Sequence, residues 1–421
     1  MKRYNNYKES GVEWIGEIPE HWNRLRIKGL VSIKVTDGPH ETPQLQTEGI
    51  PFISAEAIKG NQIDLDYKRG YISLEQHEEY SKKSKVEKGD ILFCKYGSTT
   101  GKSAYVDTDV DFGIWSPLAI IRADKIKVND KYLFQSIQSD MFRRQVETSW
   151  TFGTQPNIGM GSIENLWVAI PPLEEQTQIA NYLNHKTAQL DTLIAKKEQL
   201  ISLLQEERTA MINQAVTKGL DRNVPMKISG IELVGEIPEH WEAKNIKYVA
   251  SLRSGDNIIS EQINSEGSYP VYGGNGLRGY YSEYTNDGNY ILIGRQGALC
   301  GNIKYASDKF WASEHAIVCY LNSNHNWIWF GKLLEAMDLN QYNQSAAQPG
   351  LAVGLIKNLK IPVPSFEEQL RIVDFIADFE KETDSLMNKY EQEIDLLREY
   401  KTALISEVVT GKVDVREEVL N

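Results

Sequence analysis

Two long stretches of the chain repeat their apolar residues at intervals of three, four or seven, with polar residues between them. The first covers residues 173–218 and the second residues 366–410, and neither contains Pro or Gly. An ordinary amphipathic helix packed on a globular domain is the alternative. Both stretches exceed its usual length of roughly 8–20 residues, so the spacing favours a coiled-coil seam. The predicted seam residues are Leu190, Leu193, Leu200, Leu204, Leu386, Ile394, Leu397 and Leu404.

The two helical stretches have matching ends. Prolines precede each start, and acidic pairs in each first turn suit the positive end of a helix dipole. Gly219 and Gly411 stand just beyond the two stretches, where glycine commonly ends a helix. The stretches align without a gap at an offset of 193 residues, so that Asp191 corresponds to Asp384. At 1.5 Å per residue, each helix of about 45 residues would be about 67 Å long.

The repeat extends beyond the helices. Residues 16–22, Gly-Glu-Ile-Pro-Glu-His-Trp, return as residues 235–241, and Glu-Glu-Gln at 174–176 returns at 367–369. This period is too long for solenoid repeats of roughly 20–50 residues. We therefore interpret the chain as a duplication of one domain with its connecting helix. A duplicated chain tends to form a pseudo-two-fold object, and duplex DNA is a target of matching symmetry.

The segments ahead of the helices, residues 23–170 and 242–363, are rich in Gly, aromatic and β-branched residues. Their short apolar runs predict small sheets. A linker of about a dozen residues should place the second domain at the far end of the first helix. The predicted fold class is α+β: two mixed α/β domains separated by a long antiparallel two-helix coiled coil, in a pseudo-two-fold repeat. The predicted boundaries are 1–172 for the first domain, 173–219 for the first helix, 220–230 for a linker, 231–365 for the second domain, 366–412 for the second helix and 413–421 for a C-terminal tail.

Composition adds limits. No apolar run approaches the roughly 18 residues of a membrane span, and the N-terminus lacks the apolar core of a signal peptide. Three widely spaced cysteines favour a reduced, cytoplasmic protein. The net charge of −12 argues at first against nucleic acid, but residues 366–421 alone contain 7 basic and 15 acidic residues. The two large domains are near neutral, and such domains can bind DNA through local Lys and Arg or with a basic partner.

A loop between two glycines follows an apolar run in each copy. Residues 96–103 resemble a phosphate-binding loop, but Tyr96 stands where the first Gly is required, and Lys102 is not repeated in the second copy. What the copies share is a strand, a cation and a Gly-bounded loop. The cation is Lys95 in the first copy and Arg295 in the second. Either these cations face DNA, or the loop is only a tight hairpin whose glycines adopt positive φ.

Other polar residues lie in segments with two possible interpretations: their side chains contact base edges, or the segments are only turns. Gln155 aligns with Gln348, and amide side chains pair bidentately with adenine but are also common in turns. The candidate DNA contacts of the first domain are Asp37, His40, Lys95, Tyr96, Ser98, Thr99, Lys102, Gln155 and Asn157. Those of the second domain are Asn275, Arg295, Gln296 and Gln348.

The sequence contains no recognisable catalytic motif. His21 and His240 each lie in Pro-Glu-His-Trp, where we expect the motif to fix the start of a domain rather than to form a catalytic pair. Metal-ligand spacings, a nucleophile elbow, a dinucleotide loop and the Asn-Pro-Pro-aromatic tetrapeptide of amino-methyltransferases are all missing. We therefore expect a binding protein without a metal or cofactor of its own.

The repeated Gly-Glu-Ile-Pro-Glu-His-Trp, the Glu-Glu-Gln helix starts and the alternation of two variable domains with two like helices resemble the specificity subunit of type I restriction–modification systems. The resemblance spans almost the whole chain. It implies two target-recognition domains that each read one half of a split site in double-stranded DNA. It also implies two modification subunits, which bind S-adenosylmethionine and methylate adenine, with restriction subunits as further partners. S-adenosylmethionine, and ATP with Mg²⁺, are thus expected on the partners.

Two other classes of protein stay open on the sequence. One is an adaptor rod that joins two proteins without DNA specificity, which DNA binding by the assembled complex would exclude. The other is an enzyme with an unrecognised active site. Incubating the lone chain with S-adenosylmethionine or ATP and DNA tests that alternative.

Overall fold

The computed structural model describes residues 2–152, 155–231, 234–297, 299–343 and 350–418. The chain divides into two compact units, Met1–Lys197 with Gln392–Asn421 and Glu198–Glu391. Each unit therefore contains one domain and a part of each long helix. None of the helices in the described ranges is long and apolar enough to cross a membrane.

The first domain is built from short strands and four helices, and the first long helix follows it in the chain. Its strands are β1 (Tyr7–Glu9), β2 (Glu17–Pro19), β3 (Asn23–Arg26), β4 (Thr36–Asp37), β5 (Ile50–Ile53), β6 (Ile58–Lys59), β7 (Gln62–Ile63), β8 (Gly70–Ile72), β9 (Ile91–Cys94), β10 (Ser103–Tyr105), β11 (Gly113–Ile114), β12 (Leu118–Ile121), β13 (Thr151–Phe152), β14 (Pro156–Asn157) and β15 (Trp167–Ile170). The helices are α1 (Leu74–Ser84), α2 (Asp130–Ile137), α3 (Asp140–Thr148), α4 (Met160–Asn165) and the long α5 (Leu173–Lys218).

The second domain has a similar but shorter inventory, and its described residues contain no α-helix at the positions of α1 and α3. Its strands are β16 (Met226–Ile228), β17 (Glu236–Pro238), β18 (Glu242–Asn245), β19 (Ala250–Ser254), β20 (Tyr269–Gly273), β21 (Gly276–Tyr281), β22 (Asn286–Asp287), β23 (Tyr290–Gly294), β24 (Ile303–Ala306), β25 (Lys309–Ala312), β26 (Ala316–Leu321) and β27 (Lys360–Val363). The helices are α6 (Trp327–Ala336), α7 (Val353–Ile356) and the long α8 (Phe366–Val409).

Each domain contains two sheets of three or four strands, and one of them has the same plan in both domains. This sheet has the order β10-β9-β12-β4 in the first domain and β24-β23-β26-β19 in the second, with all neighbours antiparallel. The central strands β9 and β12 are fully buried, as expected for continuous apolar runs covered on both faces. The other sheet has three strands in the first domain and four in the second, and in both it contains one parallel pair, β5 with β11 or β20 with β25. The prediction of two mixed α/β domains with small sheets is confirmed.

The Pro-Glu-His-Trp motif holds each domain to the first turn of the long helix that follows it. In the first unit Glu175 is buried and accepts hydrogen bonds from Tyr4 Oη at 2.5 Å and Trp22 Nε1 at 3.1 Å. His21 Nε2 lies 2.9 Å from the same carboxylate. The second unit repeats the His–Glu contact at the equivalent positions, at 3.1 Å. The expectation that the motif fixes the start of a domain is confirmed.

The C-terminal end of a long helix packs on the same motif in each unit. Gly411 follows α8 with φ +72°, and a Cβ there would lie 2.3 Å from Pro19 Cδ. Gly219 follows α5 with φ +80°, and a Cβ there would lie 3.2 Å from Trp241 Cζ2. Both glycines are required by a left-handed backbone, and Gly411 also by close approach. Each domain is thus held by the start of one helix and the end of the other.

Within the first unit, α5 and α8 run antiparallel. Asp191 pairs with Lys401 at 2.6 Å, and Lys197 further along α5 pairs with Glu393, which comes earlier in α8. Residue numbers therefore increase along α5 while the numbers of their partners on α8 decrease, as in an antiparallel pair.

The second unit repeats this arrangement. Arg208 pairs with Asp384 at 2.6 Å and with Glu380 at 3.1 Å. Asp384 and Arg208 correspond to Asp191 and Lys401 at the offset of 193 residues, so the same ion pair occurs in both units. The two units therefore use equivalent ion pairs between the helices, which supports the pseudo-two-fold repeat.

The structure corrects the predicted seam at two positions. Leu193 and Leu200 are each 43% exposed and lie outside the buried seam, whereas Ile194 beside them is buried. The seam passes through Lys197 and Arg208, which are half-buried and paired across the helices. A seam predicted from the spacing of apolar residues omits such polar positions, so nearby leucines were assigned to the seam instead. The remaining predicted seam residues are buried (Ile394 and Leu404) or half-buried (Leu190, Leu204, Leu386 and Leu397).

We expect Gly411→Ala to destabilise the protein more than Gly16→Ala. Both glycines have positive φ, so both substitutions cost about 1–2 kcal/mol in backbone conformation. Only Gly411 would meet a neighbour, Pro19, and overpacking adds about 1–3 kcal/mol. Thermal unfolding followed by circular dichroism measures the difference. Equal shifts of the two midpoints would contradict the proposed docking of the helix end.

Candidate nucleic-acid interface

The loop after β9 is a hairpin turn. Gly101 N–H donates to Cys94 O at 2.8 Å, and Cys94 N–H donates to Lys102 O at 2.8 Å, so the chain returns antiparallel as β10. Gly97 and Gly101 have φ of +82° and +93°. A phosphate-binding loop runs from a strand into a helix, so the hairpin interpretation of these glycines is the correct one.

Two separately predicted segments meet at this turn. Tyr96 forms an antiparallel bridge with Asn157, and Ile158 N–H donates to Lys95 O at 2.9 Å. The Gly-bounded loop and the Gln-Pro-Asn segment therefore lie side by side, and we call them together the first loop surface (residues 95–102 and 155–157). Its predicted contact residues are exposed (Tyr96, Ser98, Lys102 and Gln155) or half-buried (Lys95, Thr99 and Asn157).

Lys95 faces a buried carboxylate. Its Nζ lies 2.9 Å from Asp37 Oδ2, and its side chain is only 14% exposed. Lys83 of α1 lies 2.7 Å from Asp37 Oδ1, and His40 Nε2 lies 3.0 Å from Oδ2. Burial acts to raise the pKa of Asp37, but hydrogen bonds from Lys83 and Lys95 outweigh it and hold the pKa below its usual value. The prediction of Asp37 as a DNA contact is wrong, because its side chain is fully buried.

Ser254 occupies in the second domain the place that Asp37 has in the first. Each residue pairs with the second residue of the neighbouring central strand, Ala119 or Ile317. The cation of the second domain follows the same geometry, since Arg295 Nη1 donates to Ser254 Oγ at 3.2 Å. The shared cation therefore meets a carboxylate in the first domain and a neutral hydroxyl in the second.

The rest of the second domain repeats the frame with different side chains. Gln296 bridges to Gly350, and Leu351 N–H donates to Arg295 O at 2.9 Å, as Ile158 does to Lys95. We call residues 295–297, 299–302 and 350 the second loop surface. Gln348 lies outside the described residues. Two further amide contacts lie at or beside this surface: Gln296 Oε1 is 2.8 Å from His315 Nδ1, and Asn302 Nδ2 donates to Asn275 Oδ1 at 3.1 Å.

Sequence reasoning missed Lys83, Ser254 and His315. Lys83 lies on α1, which has no equivalent among the described residues of the second domain, so the internal repeat gives no sign of it. Ser254 could have been found from the sequence, because Ser-Gly at 254–255 and Asp-Gly at 37–38 occupy equivalent positions at the end of a β-strand. In the described part of the chain, no group of three or more His, Cys, Asp or Glu is placed to hold a metal ion.

The duplicated frame places a polar loop surface at an equivalent position of each domain, an arrangement expected of a binding protein with two similar sites. A family model for the type I restriction modification DNA specificity domain matches residues 19–203 and 238–396, once in each copy. The chain belongs to this family. It is a specificity subunit of a type I restriction–modification system, a non-catalytic component that binds DNA.

Relatives and solved structures agree. The chain is 27% identical over 97% of its length to the putative MjaX specificity subunit of Methanocaldococcus jannaschii, with 98% of that protein covered. It is 43% identical to the EcoprrI specificity subunit of Escherichia coli, over 34% of this chain and 37% of that one.

A chain from a solved type I restriction–modification system matches the fold with a TM-score of 0.70 at 16% identity, covering 94% of this chain and 99% of that one. The HsdS subunit of Thermoanaerobacter tengcongensis matches with a TM-score of 0.57 at 17% identity, covering 94% and 98%. These two likenesses concern the fold.

Lys95→Ala should destabilise the protein, whereas Arg295→Ala should not. The first substitution leaves the buried Asp37 with fewer partners, which costs about 1–3 kcal/mol. The second removes one hydrogen bond to an exposed serine, and such surface changes stay within about 0.5 kcal/mol. Urea unfolding measures both free energies of unfolding. Similar values for the two variants would show that the Asp37 ion pair adds no stability.

Proposed function

We propose that this chain reads a bipartite DNA site, one half with each domain, and directs modification and restriction subunits to it. The observation that carries the proposal is the pair of equivalent loop surfaces with different side chains. Tyr96 corresponds to Gln296, and Lys102 corresponds to Asn302, on the same strand–turn frame. Different donors and acceptors on one frame are what two different half-sites require, because base edges are distinguished by their hydrogen-bonding patterns.

The proposal includes two copies of one modification subunit. Exposed apolar residues recur at equivalent helix positions, as expected for two equal docking sites. Leu203 on α5 is 49% exposed, and its counterpart Leu396 on α8 is 64% exposed. Leu173 and Phe366, at the two helix starts, are also both exposed. S-adenosylmethionine and ATP with Mg²⁺ belong in this proposal to the partner subunits, since methyl transfer requires a pocket around a flipped base.

Exchange of one domain tests the bipartite reading. Residues 23–170 would be replaced by the corresponding domain of another specificity subunit, in cells that express the modification subunits. Mapping of methylated adenines should then show one half of the motif changed and the other half intact, because each domain reads its half independently. The reciprocal exchange of residues 242–363 is the matched control and should change only the other half. A change of both halves in either exchange would contradict two independent readers.

We further propose that the long helices set the number of unread base pairs between the half-sites. Four helical residues inserted between Lys218 and Gly219 would add about 6 Å at 1.5 Å per residue. The spacer should lengthen by one or two base pairs, at about 3.4 Å per step, with both half-sites unchanged. The methylation map measures the spacer.

The control for this insertion lies a few residues further along the chain. The same four residues inserted after Arg222, in the exposed segment between α5 and β16, lengthen the linker without lengthening the helix. That variant should keep the original spacer. An unchanged spacer in the helix variant would mean that the docked partner subunits set the distance.

A further inference from the structure

The two domains differ in one charge at an equivalent position beside the shared cation. We propose that this position decides which cation of each loop surface contacts DNA. Asp37 keeps Lys95 in an internal ion pair, so the first domain presents Lys102 instead, whereas Ser254 leaves Arg295 available in the second domain. The inference rests on the proposed function, in which each domain binds its own half-site.

In the first domain the shared cation is paired with a carboxylate inside the protein. Asp37 is fully buried, and the ammonium groups of Lys83 and Lys95 lie 2.7 and 2.9 Å from its two oxygens. Moving Lys95 to a phosphate or a base would leave a buried carboxylate with a lost partner, which is unfavourable. α1 supplies Lys83 to this carboxylate, and the described residues of the second domain contain no equivalent helix.

In the second domain the cation has no such partner. Among the described residues, no carboxylate oxygen lies within 4.0 Å of the Arg295 guanidinium, and its contact with Ser254 Oγ at 3.2 Å engages one of its five donors. A guanidinium with free donors binds guanine O6 and N7 or a phosphate bidentately. The exposed Gln296 stands next to it on the same loop surface.

The first domain has its available cation at a different place on the turn. Lys102 is exposed, and within the described ranges no carboxylate oxygen approaches its ammonium group to 4.0 Å. Its counterpart in the second domain is the neutral Asn302. Each loop surface therefore presents one uncompensated cation, at the end of the turn in the first domain and at its start in the second. The half-sites would be contacted from different points of one frame.

Substitution at Ser254 tests the inference in the complex of this chain with its modification subunits. The probe is a DNA duplex carrying the motif obtained by mapping methylated adenines with the wild-type complex. Ser254→Asp places a carboxylate beside Arg295 and should weaken binding of the probe roughly 5- to 150-fold, the range of one lost contact. Ser254→Asn has a similar shape without the charge and should bind nearly as the wild type does. Both changes fall on an exposed residue, so the domain is expected to fold.

Two controls separate neutralisation of Arg295 from simple repulsion of DNA. Ser251→Asp adds the same charge on the same strand, three residues away and on the opposite face, and should have little effect. In an Arg295→Ala background, Ser254→Asp should have much less effect than in the wild type, because both changes remove one contact. If the full loss persists in that background, or if the Asp and Asn variants bind alike, the inference is overturned.

The salt dependence identifies the group that Arg295 contacts. A uniform loss on all probe sequences, with a salt slope shallower by about one, indicates a phosphate. A loss confined to one base position of the second half-site indicates base readout. Either result supports the inference, and an Arg295→Ala variant that binds as the wild type does overturns it.

The first domain supplies an independent arm of the test. Lys102→Ala should weaken binding of the probe through the first half-site. Lys125→Ala, an exposed lysine beyond the other end of β12, should not. Equal binding by these two variants would overturn the assignment of Lys102. Failure of the wild-type complex to bind its mapped motif, in contrast, would overturn the proposed function itself.

Discussion

The contact between the Pro-Glu-His-Trp motif and a carboxylate at the start of the long helix, buried at Glu175 and half-buried at Glu368, is the interaction on which the rest of each unit depends. Glu175 is removed from water and satisfied by Tyr4, His21 and Trp22, three residues from the beginning of the domain. A buried charge is tolerated only with such partners, so the contact fixes the domain to the helix in one orientation. The glycine after the other helix packs on the same motif. A domain with this attachment can change its loops without changing its frame.

The two loop surfaces share one backbone frame and differ in their side chains. The strand, the Gly-bounded turn and the bridge to a later segment are the same in both domains, as for Tyr96 with Asn157 and Gln296 with Gly350. The charge beside the turn is not the same: among the described residues, a carboxylate pairs with the cation of the first domain, whereas the cation of the second domain meets a hydroxyl. In the function proposed above, a few donors, acceptors and charges on this constant scaffold would distinguish the two half-sites.

Local patterns in the sequence predicted the long helices and the duplication well, and they offered the hairpin as one of two alternatives for the Gly-bounded loop. The helices begin at Leu173 and Phe366, where the prolines and acidic pairs place them, because helix starts depend on neighbouring residues. The seam was predicted less well at Leu193 and Leu200, which are exposed. Its true path includes polar residues whose burial depends on a partner on the other helix, and no single helix reveals that partner.

The sequence by itself determined the family, the repeat and the neighbourhood of the site, because repeats and periodicity are properties of residues close along the chain. Only the tertiary structure decided which of the two equivalent cations faces a carboxylate. Lys95 and Arg295 are equivalent in sequence, but their environments differ through Asp37 and Ser254, which lie on a distant strand of the same sheet. Whether a charge is compensated depends on distances of a few ångströms between residues far apart in the chain, and only the folded chain fixes those distances.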